Sequence, residues 1–522
     1  MLDNVADLLL TVGLLSAIFG FPVEFAIRHM VPGTAIGVLC GDLLFFWMAL
    51  RLARQHNRPE ITAMPLGLDT PSTFGMVFFV LGPAFITAQQ TMPLEEAARF
   101  TWHIGICSIV ISGIFKLVCA LFAGWIRRVV PRAGLLGSLA AIALVLISFL
   151  PLLEVFHYPL IGCTALAIIL TTLVARIPFP GRVPGALAAL LVAGGMYYIL
   201  QWAGLQQWLG SASHLEIDPR AALLPYEWLA VFRFEWLRAL PASLQYMPVV
   251  IPFALATVVG GIDCTESAAA TGDEFDTKSV IRVEAIATLI AGLCGGVIQT
   301  TPYIGHPAYK AMGGRSAYVL ATALFVGGAG VLGYFGYLYA IIPKPTVFPI
   351  LVFIGLEITA QSFHATPKKH YAAVALACVP ALASLALIYA DKVIGGIGAM
   401  QLLDPATGQP ALLSLDTMSG PLGEELMTIR MLANGFVLTG LLWSSALVAL
   451  IDRRMKLAAV YFLIAAICVF FGFIHSPLNG GPIYLPWDLA EETRWLVYRF
   501  VAGYASMAVL LTIWSQFADA ER

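Results

Sequence analysis

Two pairs of ionisable residues sit where an apolar sequence should have none. Asp263 and Glu266, in "GGIDCTESAAA", are three apart and share one helix face. Two carboxylates that close in an apolar setting can hold a polar solute or carry a proton. The competing reading is solvation at the end of a membrane span, since "GDEFD" follows at once. His306 and Lys310, four apart in "TTPYIGHPAYK", project to one side of any helix that starts there. His306 can hydrogen-bond a solute in either protonation state. Lys310 reads either as a second solute contact or as the charge partner of Asp263 or Glu266. Glu357, in "LVFIGLEITAQSF", places a further carboxylate on a later apolar segment. No HExxH, serine elbow or nucleotide-binding glycine loop occurs, and the eight cysteines lack paired ligand spacing. The sequence therefore calls for no catalytic centre, metal or cofactor.

The elements that must position these groups are unusual. Two prolines within six residues of "TTPYIGHPAYK" (300–310) exclude an uninterrupted helix, because each lacks an N–H and pushes its predecessor toward extended backbone. A matching segment, "TAMPLGLDTPS" (62–72), lies in the first half of the chain. Thr62, Pro65, Gly67, Asp69 and Pro71 run parallel in type to Thr301, Pro302, Gly305, His306 and Pro307. Irregular backbone at membrane depth survives only when buried in protein or lining a polar cavity. Two such segments, entering from opposite directions, are expected to meet near the midplane, each starting a half-helix whose N–H groups face the meeting place. Asp69, Thr70 and Thr301 thereby join the candidate solute-binding residues.

A membrane location follows from composition. Of 522 residues, 59% are hydrophobic and 11% charged, and mean hydropathy is +0.85; soluble domains carry about 25% charged residues. Runs such as "LAAVYFLIAAICVFFGFI" (457–474) recur, each near the roughly 20 residues that cross a bilayer. Candidate spans lie near 7–28, 31–53, 64–88, 104–125, 134–153, 159–176, 185–203, 248–264, 281–298, 300–314, 316–341, 345–363, 371–390, 428–451, 457–475 and 494–516. The basic clusters "RLARQHNR", "RRVVPR", "ARIPFPGR", "TPKKH" and "DRRMK" then share one side, which makes it and both termini cytoplasmic. The opening "MLDNVADLLL" lacks the basic start of a cleavable signal. Trp208, Trp228 and Trp236 in the outer loop 204–247 are expected to form an interfacial aromatic belt; a second outer loop covers 391–427. Glu284 reads as a span-end residue reaching water, Lys116 as a snorkelling lysine, Glu24 as the partner of Arg28, and Asp42 as a bond to neighbouring backbone. Nothing indicates a nucleic-acid partner.

With these segments in place the chain resembles the uracil permease-like superfamily, which includes nucleobase–ascorbate and guanine–hypoxanthine permeases and, more distantly, sulfate permeases and anion exchangers. The resemblance rests on "PFALATVVGGIDCTESAAATGDEF" (252–275), similar to the family's eighth span, and "GLCGGVIQTTPYIGHPAYKAMGGRSAY" (292–318), similar to its ninth-to-tenth connection. It covers about residues 1–451. It implies an all-α polytopic fold with a 7+7 inverted repeat, short extended segments in spans three and ten, and an extra C-terminal hairpin. The divisions would be 1–203 for the first repeat, 204–247 for the outer loop, 248–451 for the second repeat, and 452–522 for the hairpin and tail. The family usually places a carboxylate where this chain has His306. The implied activity is secondary-active, proton-coupled transport of a nucleobase-like solute, with Asp263 and Glu266 as coupling groups. The alternative is an anion carrier of the sulfate or bicarbonate type. The implied setting is a bacterial inner membrane, in homodimers.

Overall fold

The computed structural model describes residues 2–122, 132–209, 219–303, 305–311, 313–399, 418, 420–479 and 481–520. Helices α1 (Leu2–Phe19) and α2 (Val23–His56) open the chain. Helix α2 ends at Asn57, whose left-handed backbone (φ 51°) turns its N–H back to the Ala53 and Arg54 carbonyls. Extended backbone follows, with the short strand β1 (Leu66–Leu68), and leads into α3 (Thr70–Gln89). Pro71 fits the first turn of α3, where a missing N–H costs nothing. Next come α4 (Leu94–Leu121), α5 (Leu136–His157), α6 (Pro159–Val174) and α7 (Gly185–Trp202). After short 3-10 turns the chain forms α8 (Met247–Ala270) and α9 (Thr277–Leu293), then strand β2 (Thr300–Pro302) and the short α10 (His306–Ala311). The remaining helices are α11 (Val319–Val331), α12 (Phe335–Ile341), α13 (Lys344–His364), α14 (Tyr371–Ala399), α15 (Pro421–Ala433), α16 (Phe436–Ile451), α17 (Met455–Phe470) and α18 (Glu491–Ala520).

Among the described residues, nine helices are long and apolar enough to cross a membrane, or eleven if each of two bent pairs counts as one span. The fold is that of an all-α polytopic membrane protein. The unbroken span read at 316–341 is a pair, α11 and α12, bent by 90°. Gly333 makes the corner: its φ is +79°, and a Cβ there would lie 2.0 Å from the Ala222 carbonyl oxygen. The span read at 428–451 is likewise two helices, α15 and α16, bent by 75° next to Gly435 (φ +74°).

The chain divides into two compact units, residues Met1–Val129 with Leu150–Ile354, and Val130–Phe149 with Gly355–Arg522. In the first, α2 packs on α9 and α11, and α4 packs on α9. Helix α2 can come that close because Gly33, Gly37 and Gly41 line one face of it. A Cβ at Gly33 would lie 2.2 Å from Cys294 O, at Gly37 2.4 Å from Ala291 Cβ, and at Gly41 2.6 Å from the Leu66 side chain. Small residues at four-residue spacing let backbones approach in lipid, where no hydrophobic force drives helices together. Here they also bring β1 against the helix pair.

The turns between α7 and α8 are fastened to the same unit. Glu227 Oε1 accepts from Arg28 Nη1 at 3.1 Å, and Arg28 also pairs with Glu24 at 2.6 Å, the partner read from the sequence. Trp236 is buried, with its Nε1 donating to Val231 O, and so departs from the expected interfacial belt. Trp208 is exposed. Most of the outer loop read at 391–427 lies outside the described residues.

In the second unit, α16, α17 and α18 share a core of small and aromatic side chains that includes Ala446, Ala458, Phe462, Ala465, Val469, Val497 and Tyr504. Lys369 and His370 both reach Asp452 Oδ1 in the turn before α17, at 2.6 and 2.9 Å.

Candidate functional site

The two proline-punctuated segments meet. Strands β1 and β2 pair antiparallel with Leu66 opposite Pro302, Gly67 opposite Thr301 and Leu68 opposite Thr300. The ladder continues at both ends, where Asp69 N–H donates to Gln299 O at 3.1 Å and Tyr303 N–H to Pro65 O at 2.8 Å. These strands are all buried, which satisfies the requirement that non-helical backbone find its partners within the protein. Gly67 is dictated by crowding. A Cβ there would lie 2.4 Å from both Asn4 Oδ1 and Tyr303 Oη.

Side chains from neighbouring helices secure the crossing. Asn4 on α1 accepts from Leu68 N–H at 2.8 Å, and Asp42 on α2 accepts from Leu66 N–H at 3.2 Å. Asp42 thus plays the backbone-bonding part expected of it. Asp69 caps α3, its Oδ2 accepting from Ser72 N–H at 2.9 Å, and Thr70 Oγ1 donates to Asp7 Oδ2 at 3.1 Å. Thr301 is buried in the middle of β2. From α8, Cys264 Sγ contacts Pro302 O at 3.3 Å; Asp263 and Glu266 stand half-buried on the same helix. The structure therefore brings Asp69, Thr70, Thr301, Asp263 and Glu266 into one compact unit, around and beside the strand pair. Glu357 belongs to the other unit, where its exposed carboxylate accepts from Gln361 Nε2 at 3.0 Å.

His306 and Lys310 have a different partner from the one expected. Lys310 Nζ lies 2.5 Å from Asp273 Oδ1 and donates to Thr271 O at 3.0 Å, so its carboxylate is Asp273 rather than Asp263 or Glu266. The turn after α8 carries Asp273 back over the start of α10, whereas Asp263 lies nearly three helical turns up. His306, fully buried, places Nε2 3.3 Å from Asp273 Oδ2 and 3.1 Å from Thr62 O. With two acceptors facing it, that nitrogen carries the proton. Thr62 N–H donates to Asp273 Oδ2 at 3.1 Å, and Arg58 Nη2 stands 3.8 Å away. Asp273 is thus a buried hub tying the residues before β1 to the helix after β2. At its rim Arg58 Nε pairs with Glu60 Oε1 at 2.6 Å, which holds the Glu60 carboxyl below the usual carboxylate range.

Two readings of single residues are overturned on α4 and α9. Glu284 does not reach water and Lys116 does not snorkel. Both are fully buried, with Nζ 2.9 Å from Glu284 Oε1. Helix α4 packs against α9 and both side chains are covered there. Lys116 Nζ also donates to Thr300 O at 2.9 Å and to Thr288 Oγ1 at 3.3 Å, directly behind β2. Sequence reasoning missed Asn4, Asp7 and Asp273 as participants. The signal available for Asp7 was its place at the start of the apolar first span read at 7–28, with Asn4 just ahead of it; for Asp273 there was none, because "GDEFD" reads as a solvated turn.

No protein-family model matches this chain, and no curated protein matches it. Solved structures do. The transmembrane domain of a cyanobacterium bicarbonate transporter, BicA, aligns with a TM-score of 0.43 and 16% identity, over 68% of this chain and 89% of that one. The structure of SLC26A9 aligns with a TM-score of 0.44 and 11% identity, over 74% of this chain and 60% of that one.

Proposed function

We propose that this protein is a secondary-active membrane carrier for a small polar solute, bound where β1 and β2 cross. The observation that carries the reading is the buried antiparallel pairing of two proline-bracketed segments far apart in sequence, inside a protein otherwise made of apolar helices. A broken backbone in that setting is either buried against its own partners or lines a polar site, and the carboxylates beside this one support the second role. Asp69, Thr70, Thr301, Asp263 and Glu266 are the proposed solute contacts, with Asp263 and Glu266 carrying the coupling proton. His306 and Lys310 act through Asp273. Residues 1–203 and 248–451 form the inverted repeats of this reading, which also includes a homodimer in a bacterial inner membrane.

Two classes of cargo compete. A neutral, hydrogen-bonding, nucleobase-like solute suits a site whose nearby cations already face carboxylates: Lys310 faces Asp273 and Lys116 faces Glu284. The alternative is a small anion of the sulfate or bicarbonate type; bicarbonate is the cargo named for one of the two solved structures above. Uptake into proteoliposomes under an inward proton gradient separates them, with labelled uracil and xanthine compared with labelled sulfate and bicarbonate. Gradient-driven accumulation of the bases is expected, and Asp263→Asn and Glu266→Gln should each abolish it while remaining monodisperse. Accumulation of sulfate or bicarbonate alone establishes the anion carrier. Full uptake in both variants removes the coupling role from these carboxylates, and accumulation of no solute of either class counts against a carrier.

A further inference from the structure

Lys116 and Glu284 are the most costly feature of the first unit and have no part in the proposed site. Each is 0% exposed, and each takes a charge out of water into a bundle of apolar helices. A buried ion pair is poor evidence for stability, since well-packed apolar residues of similar volume usually do as well. The surroundings of the ammonium say more than the pair itself. Three oxygens converge on Nζ from three chemical sources: the Glu284 carboxylate at 2.9 Å, the Thr300 carbonyl at 2.9 Å and the Thr288 hydroxyl at 3.3 Å. The first contact is at ion-pair distance, and its Coulombic attraction would be made equally by a spherical ion.

The oxygens are themselves held in place. Thr300 N–H donates to Thr288 Oγ1 at 3.2 Å, and Thr300 Oγ1 donates to Glu284 O at 3.4 Å. The cage therefore belongs to α9 and β2, whereas the charge inside it arrives on a long side chain from α4. One negative charge with carbonyl and hydroxyl oxygens is the ligand chemistry of a hard monovalent cation.

We propose that Glu284, Thr288 and the Thr300 carbonyl form a binding site for a small monovalent cation, and that Lys116 fills it permanently with its own ammonium group. Strand β2 is then fixed from behind by a tethered cation, and the shape of the crossing does not depend on alkali ions in the medium. Truncating the lysine exposes the empty cage to free cations.

Thermal unfolding of the purified protein tests this, with ammonium, sodium, potassium and choline chloride compared at equal ionic strength. The wild type should unfold at the same temperature in all four. Lys116→Ala should unfold several degrees lower in choline and recover with rising ammonium, the ion whose contacts best match the 2.9 Å distances. Lys116→Ala with Glu284→Gln should lose the ammonium response, because the cage then carries no charge. Lys116→Met with Glu284→Leu serves as the folded control without either ion. The proposal is overturned if Lys116→Ala is equally unstable in ammonium and choline, or folds in no salt while the control folds. Unfolding needs no cargo, so this outcome is independent of the carrier reading.

Discussion

At the scale of single residues, the costly groups were legible in the sequence and their partners were not. Asp69, Asp263, Glu266, His306 and Lys310 announce themselves by type alone, because ionisable groups in an apolar run need a reason to be there. Lys310 finds Asp273 across 37 positions and Lys116 finds Glu284 across 168, distances over which no periodicity speaks. Asp273 shows why the bland reading of a charged turn fails. Its carboxylate is fully buried and receives Thr62 N–H, His306 Nε2 and Lys310 Nζ. Asp273→Asn keeps the shape but removes the charge that three donors face. Breaking a buried pair costs about 3 kcal/mol or more, so this variant should unfold at a clearly lower temperature than the wild type. Asp276→Asn, which alters only an exposed cap on Ser279, provides the comparison and should shift little.

At the scale of elements, the extended segments at 62–72 and 300–310 were readable because proline chemistry forbids a helix there. The bend at Gly333 was not, since glycine inside apolar runs is common in membrane helices and marks no break by itself. The glycine row of α2 was equally silent, because what it signals is a neighbour's proximity. Gly67 is the element-scale position with the sharpest consequence. Gly67→Ala would drive a methyl group to within 2.4 Å of Asn4 Oδ1 and Tyr303 Oη. Overpacking of this kind costs about 1–3 kcal/mol, and here it falls on the crossing itself. Reduced solute uptake together with a lower unfolding temperature is expected; unchanged uptake and stability would show that the strands yield without consequence.

At the scale of the molecule, composition and the recurring apolar runs established a polytopic helical protein, while the division into two compact units was hidden. Residues 132–149 join the second unit through packing of Arg132–Ile142 against α14 and α16, which only the folded chain supplies. The C-terminal hairpin looks appended in sequence, yet its helices complete the core around Ala446, Phe462 and Tyr504. Trp443 Nε1 donates to Tyr504 Oη, and His475 Nε2 meets the same hydroxyl at 2.7 Å. A chain ending after Arg454 should therefore expose that apolar surface and elute as aggregate in size exclusion, under conditions in which the full chain is expected to elute as a single peak. A monodisperse truncated chain would mark the hairpin as dispensable.

If this protein is the carrier proposed above, the strand crossing also limits what kind of motion can move its solute. A hydrogen-bonded ladder cannot glide by fractions of a residue, and a slip of one position would turn every side chain to the opposite face. Leu66, Gly67 and Leu68 are thus held in one register with Pro302, Thr301 and Thr300, and the pair is expected to move as one piece. Whatever rests on that block has to travel with it, as a passenger on a platform and not as a bead passed from hand to hand.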